Sequence, residues 1–377
     1  MTKSSIHVLL VSAQAAPNLL PTLDPKLKPN EVVLLVSKKM QPRAEALASV
    51  LQQAQVKVSR CNVDDEHSFA ELEALLLELA AAREGQSIAL NVTGGTKLMA
   101  LAAQSVALAA GWRIFYVDVD TDEIIWLGKE QSRIPLTPTL RLPHYLQGYG
   151  FRLENGVNRP APQRRHHELL HSLIMQMGTL GKGLGQLNFM AQEAEDKQRL
   201  EAQLAPGQTP SPHLEALLRL FEEAAVLTRK NGVIAFADED ERSFAKGGWL
   251  ESHVYRVIDG LHSELKLRDK AANLVVIDGS GVKNELDIAF MAKNRLFVIE
   301  CKTARLDRRG EAKANDALFK IAEVSRRVGG LGTRGMLVSY RPLRDAERRL
   351  AKALGIEPVC GEELKRLSEH IKRWVNG

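Results

Sequence analysis

Between residues 283 and 303 the chain reads KNELDIAFMAKNRLFVIECKT, which spaces Asp287, Glu300 and Lys302 along two short runs of alternating character. Alternation with a period of two predicts strands, and Ala292 to Arg295 has the make-up of the turn of a hairpin. On the first strand Glu285 and Asp287 should share one face, with Leu286, Ile288 and Phe290 on the other. On the second, Glu300 and Lys302 should oppose Ile299 and Cys301. Acidic groups and an ammonium then converge in a sheet with apolar flanks. Burying them unpaired is unfavourable, so a cation or a phosphate is the natural occupant. Hydrolysis of a phosphodiester needs an activated water, neutralised phosphate charge and a stabilised leaving oxygen, and an oxygen-ligated divalent cation supplies all three. Asp287 and Glu300, with the backbone carbonyl of Cys301, form a hard ligand set suited to Mg²⁺ or Mn²⁺. Lys302 would orient water and phosphate, and Glu251, on a helix just upstream, would hold a metal-bound water or complete the set. The competing reading of an isolated Glu-x-Lys is a solvated strand edge. Lys320 reads as a surface lysine, with phosphate contact as the alternative.

The elements around this constellation are a helix near 249–261, strands at 273–278, 284–291 and 295–302, a helix near 311–328 and a strand at 335–340. Leu250, Val254, Ile258 and Leu261 make the apolar stripe of the first helix. An Asp followed across a hairpin by Glu-x-Lys in an αβββαβ order resembles the PD-(D/E)xK restriction-endonuclease-like superfamily. Leu286 stands where that family's pattern has Pro.

Residues 6–127 alternate short apolar runs (6–12, 31–37, 56–61, 87–92, 113–119) with helical patterns near 42–54, 67–83 and 97–110, the signature of βα units in a Rossmann-like parallel sheet. DEIIWL at 122–127 reads as a hairpin return and RIPLTPTLRLP at 133–143 as an exit segment. In SIALNVTGGTKLMALAA a strand runs into Thr93, Gly94, Gly95 and Thr96 and then a helix. A helix N-terminus attracts anions, glycines admit a ligand to the backbone, and Lys97 adds charge. Ser12, Gln14 and Asn18 follow the first strand and could line the same carboxyl edge, where open α/β sheets bind ligands. A Walker P-loop is absent from the sequence. A tight turn capping a helix with no ligand is the plainer reading.

Together, the Rossmann-like domain, the TGGTK turn and the nuclease pattern resemble the CARF-domain ancillary nucleases of type III CRISPR defence. The likeness implies a CARF sensing domain over residues 1–148, a mostly helical connector over 149–245 and a nuclease domain over 246–377. It further implies a homodimer holding a cyclic oligoadenylate, most often cyclic tetra-adenylate, across its twofold axis, with binding switching on metal-dependent cleavage of DNA, RNA or both. A symmetric messenger suits an isologous dimer.

Two rivals remain. His167, Glu168 and His171 form HELLH, which matches a zincin helix, but no third ligand stands out beyond Glu193 or Glu195; exposed histidines on an amphipathic helix are the better reading. A ligand-sensing regulator that binds nucleic acid without cutting it would leave Asp287, Glu300 and Lys302 without purpose. The glycine stretch GTLGKGLGQ (178–186) reads as a flexible turn and LAPGQTPSPH (204–213) as a linker.

With 45% hydrophobic and 26% charged residues over 377 positions, the chain fits a globular protein of two or three domains, not a disordered or membrane chain. Residues 301–377 hold 18 Lys and Arg against 10 Asp and Glu, a basic excess that suits a phosphate-backbone partner. Cys61, Cys301 and Cys360 are isolated, which fits a reducing compartment. With no apolar run long enough to span a bilayer and no leader pattern, a cytoplasmic location is expected.

Overall fold

The computed structural model describes residues 4–128, 132–161, 163–204, 210–303 and 312–377. Runs rich in valine, leucine and isoleucine form β1 (Ile6–Leu10), β2 (Glu31–Ser37), β3 (Lys57–Val63), β4 (Ile88–Asn91) and β5 (Arg113–Asp118), all parallel. β6 (Glu123–Leu127) and β7 (Ser132–Pro135) return antiparallel, and the sheet order is β3-β2-β1-β4-β5-β6-β7. Between the strands lie α1 (Ala16–Leu23), α2 (Gln41–Gln53), α3 (Phe69–Ala81) and α4 (Lys97–Ala109). The exit segment continues into α5 (Leu142–Gly148) and β8 (Arg152–Leu153).

The connector holds α6 (His167–Met175), α7 (Met177–Asp196), β9 (Glu201–Gln203), α8 (Pro212–Glu223), β10 (Leu227–Lys230) and β11 (Val233–Phe236). It is therefore not helix alone, because β9, β10 and β11 form their own sheet. The expectation of a flexible glycine turn is also corrected: residues 178–186 lie inside α7. Gly183 there meets the backbone of α8 so closely that a Cβ would stand 2.8 Å from the His213 carbonyl oxygen, so the glycine serves helix packing. Of the expected linker, residues 205–209 lie outside the described residues, and Ser211 caps α8.

The αβββαβ order follows: α9 (Glu239–Ser243) and a π-helical turn (Phe244–Gly248) lead into α10 (Trp249–Gly260), then β12 (Asp269–Ile277), β13 (Lys283–Ala292), β14 (Arg295–Lys302), α11 (Ala312–Gly329) and β15 (Arg334–Ser339). Position 311, where the sequence reading began this helix, lies outside the described residues. α12 (Asp345–Ala353), β16 (Ile356–Cys360) and α13 (Leu367–Asn376) complete the chain, and the sheet order is β16-β15-β14-β13-β12-β8.

Three apolar clusters hold these layers. One packs α3 and α4 on the first sheet, through Leu72, Leu76, Met99 and Val106. A second fills the space between the two sheets, joining Leu19, Leu47 and Phe115 to Leu286, Met291, Leu318 and Leu337. The third packs the connector helices, α10 and α13 on the far face of the second sheet. No described helix is long and apolar enough to cross a membrane.

Candidate functional site

The β13–β14 ladder runs from Ala292–Arg295 to Ile288–Ile299. One step further Asp287 and Glu300 stand opposite each other, and there the side chain takes over from the backbone: the Cys301 N–H donates to Asp287 Oδ2 at 2.7 Å. The strict alternation expected from sequence does not hold here. Leu286 packs with Ala289 and Met291 between the sheets, whereas Ile288 and Phe290 pack on the opposite face. A period of two cannot place 286 and 289 together, so β13 carries a one-residue phase shift around Asp287, as a β-bulge does. β12 shifts likewise: Ala271 and Leu274 share a face across Asn273, whose φ is +50°. The β12–β13 ladder steps from Ala272–Ile288 to Leu274–Leu286 over that point.

Glu300 is 2% exposed, and its Oε1 lies 2.6 Å from Lys302 Nζ and 2.9 Å from Lys320 Nζ. Lys320 is exposed, as the surface reading expects, and α11 also carries its ammonium onto the central carboxylate. Burial raises the Asp287 carboxyl to about 6, with the Glu300 charge adding to the shift and the Cys301 N–H opposing it. Burial likewise raises Glu251 to about 7, with Asp287 and Glu285 adding like charge. Burial alone would lower the Lys302 ammonium, yet Glu300 and Asp287 hold it above its usual value. Glu285 is exposed at the rim of the same group.

Above this centre opens a cleft of about 820 Å³, lined among others by Asn158, His166, Gln192, Lys246, Glu251 and Asp287. Asn188 Nδ2 donates to Thr303 Oγ1 at 3.1 Å, which ties α7 to the residue after Lys302. Among the described residues no set of three or more His, Cys, Asp or Glu side chains stands ready-made around a metal position. The donor chemistry nevertheless fits a divalent cation. Glu251 and Asp287 are carboxyls whose charged forms are disfavoured by burial and mutual repulsion, which an oxygen-seeking cation relieves. In α6, His167, Glu168 and His171 are exposed, and His167 Nε2 lies 3.4 Å from an Arg256 nitrogen.

At the carboxyl edge of the first sheet, Gly94 presses on the end of β1, where a Cβ would stand 2.1 Å from the Leu10 carbonyl oxygen. Gly95 follows at φ +73°, a conformation that favours glycine. Thr96 caps α4, its hydroxyl accepting from the Met99 N–H at 3.2 Å, and Lys97 is exposed at the first turn. The Thr93 hydroxyl donates to Asn91 Oδ1 at 2.6 Å and accepts from the Val117 N–H at 2.7 Å. Ser12 and Gln14 are partly exposed and hydrogen-bond each other at 3.3 Å. Asn18 departs from expectation: it is 1% exposed, donates to the Leu10 carbonyl and accepts from Asn91 Nδ2 at 3.0 Å. Its amide locks α1 to β1 and β4 and does not face the edge. Asn91, which the sequence reading missed, is the hub of this network; the apolar run around it gave no signal.

A sensing α/β domain joined to a nuclease core is the class that this fold and site define. Residues 6–145 match the family model described as the Card1 CARF domain, and residues 238–377 the one described as Card1-like, endonuclease domain. The chain belongs to the CARF-domain ancillary nucleases, with both halves of the Card1 type. Protein VC1899 from Vibrio cholerae is 27% identical, with a TM-score of 0.90 over 98% of each chain. Can2 from Sulfobacillus thermosulfidooxidans, solved in complex with cyclic tetra-adenylate, is 25% identical, with a TM-score of 0.83 over 99% of each chain. A type III CRISPR defence DNA nuclease activated by cyclic oligoadenylate shares the fold at 20% identity and a TM-score of 0.57, over 90% of this chain and 46% of its own. No curated protein matches the sequence.

Proposed function

We propose that this chain is a homodimeric endonuclease of CRISPR defence, dependent on Mg²⁺ or Mn²⁺ and switched on by cyclic tetra-adenylate, that cuts DNA, RNA or both. The observation that carries this reading is the gathering of Glu251, Asp287 and Lys302 at the floor of a cleft, with Glu300 buried beneath and paired to Lys302. Asp287, Glu300 and the Cys301 carbonyl would hold the cation, which when bound supplies a Lewis acid and an activated water. Lys302, kept charged by its acidic neighbours, is placed to hold the scissile phosphate and orient the attacking water. Glu251, its carboxyl raised by burial and by the neighbouring Asp287 charge, is placed to take up or give a proton beside them.

On the sensing side, Ser12, Gln14, Thr93, Gly94, Gly95, Thr96 and Lys97 would meet the activator's phosphates at the α4 N-terminus; Asn18 supports that edge from beneath. The domain division is taken as 1–148 for sensing, 149–245 for the connector and 246–377 for the nuclease. The second copy is argued from α4, where Leu98, Leu101 and Leu108 are 37%, 56% and 66% exposed along one face. An apolar stripe of this kind next to a site for a symmetric ligand suits an isologous interface. A nucleic-acid substrate met in CRISPR defence supports the cytoplasm as the site of this work.

The test is incubation with Mn²⁺ or Mg²⁺, single-stranded DNA, single-stranded RNA and supercoiled plasmid, with each cyclic oligoadenylate in turn. Cutting that needs both the cation and cyclic tetra-adenylate is expected. Retardation of nucleic acid without a cut under every condition would make the chain a ligand-sensing regulator instead.

A further inference from the structure

Helix α11 touches both candidate sites. At its C-terminal end, Tyr145 Oη donates to the Gly329 carbonyl at 2.9 Å, and Tyr145 is 1% exposed, so water does not compete for that bond. The Tyr145 ring stacks on Tyr149, with centroids 5.0 Å apart and planes at 28°. The Tyr149 hydroxyl reaches Gln14 Oε1 at 3.4 Å. Gln14 also rests on the next residue of the helix end: a Cβ at Gly330 would stand 2.2 Å from Gln14 Oε1. Toward the N-terminal end, Lys320 reaches Glu300 at 2.9 Å. Between these points the helix is clamped to the sheet by Ile321 and Val328, both essentially buried. Nine residues of helix make a stiff rod of roughly 13 Å.

We propose that Tyr145 is a positioning residue, which fixes the C-terminal end of α11 to the sensing loop that carries Gln14, so that a ligand engaging Gln14 moves Lys320 and re-aims Glu300. This rests on the reading of the chain as a cyclic-oligoadenylate-activated nuclease. Lys320 contacts a single oxygen of Glu300, so a helix shift of about 1–2 Å is enough to turn that carboxylate. The direction of coupling follows from linkage: whatever the activator does to Glu300 through α11, occupancy at Glu300 does to activator affinity.

The test uses the full chain. Tyr145→Phe keeps the ring stack and removes the hydroxyl that bonds the Gly329 carbonyl. Cyclic tetra-adenylate should bind it within about threefold of the wild-type affinity, while activated cutting falls about tenfold, within the usual range of coupling between sites. Lys320→Met should also lower activated cutting, Lys320→Arg should restore part of it, and the double variant Tyr145→Phe/Lys320→Met should be no worse than Lys320→Met alone. Activation of Tyr145→Phe equal to wild type, or losses that multiply in the double variant, would overturn the proposal. Should Tyr145→Phe not fold, amide hydrogen exchange in the wild type decides: protection over 321–329 should change when cyclic tetra-adenylate binds, and no change overturns it. A wild-type chain that cuts but ignores every cyclic oligoadenylate removes the functional reading itself, and the relay with it.

Discussion

The Cys301 N–H donates to Asp287 Oδ2 at 2.7 Å at the point where the β13–β14 ladder has ended. One carboxylate oxygen of Asp287 therefore closes the sheet, which leaves the other for chemistry.

That division of labour separates two substitutions. Asp287→Asn retains an acceptor for the Cys301 N–H and should keep Tm within about 2 °C of wild type while cutting is lost. Asp287→Ala orphans a buried N–H at about 1–3 kcal/mol and should lose both Tm and cutting. Equal Tm for the two variants, read by calorimetry, would show that the bond carries no stability.

The acidic centre also sets a pH dependence. Asp287 and Glu251 sit at about 6 and about 7, above ordinary values of 3.8 and 4.5. A carboxyl raised in the folded chain binds its proton more tightly there than when unfolded. Its contribution is thus full at low pH and is lost as pH rises through the folded values. In chelator, Tm should fall by roughly 3–5 °C between about pH 4 and pH 7. Mn²⁺ should recover part of that fall, and cutting should rise over the same window. A flat Tm in chelator would count against the buried carboxyl pair.

Sensing and cutting should be separable by substitution. Glu300→Ala should lower activated cutting by about a hundredfold or more and leave cyclic tetra-adenylate affinity within about threefold. Lys97→Ala should weaken activator binding about tenfold, as loss of a charged hydrogen bond does, and leave Mn²⁺ binding intact. Titration calorimetry reads both affinities, and unchanged activator binding in Lys97→Ala would move the ligand away from the α4 N-terminus.

Two glycines of one helix should respond in opposite senses. Gly183→Ala drives a methyl to within 2.8 Å of the His213 carbonyl oxygen and should cost about 1–3 kcal/mol. Gly185→Ala meets nothing within 4 Å and should gain about 0.5–1 kcal/mol from helix propensity. Urea unfolding measures both.

Residue pattern made much of this visible in advance. The Asp287, Glu300 and Lys302 set was legible because polar groups interrupt an otherwise apolar hairpin, and TGGTK because a strand runs directly into a capped helix. What stayed hidden depended on distant partners. α1 was concealed by Pro17 and Pro21, although Pro17 sits in the first turn, where its missing N–H is no loss. The glycines of α7 mimic a loop until α8 is seen lying against them. Asn18 looked available because its buried partner Asn91 lies 73 residues away. The phase shift near Asp287 needs the facing irregularity at Asn273, which no single-strand pattern contains.

The apolar layer between the two sheets leaves neither of them a finished outer surface there. Leu19, Phe115, Leu286 and Leu337 belong to a single dry interior, so severing the chain after α5 would wet a broad greasy wall on each fragment. Sensor and cutter are accordingly committed to melt as one body.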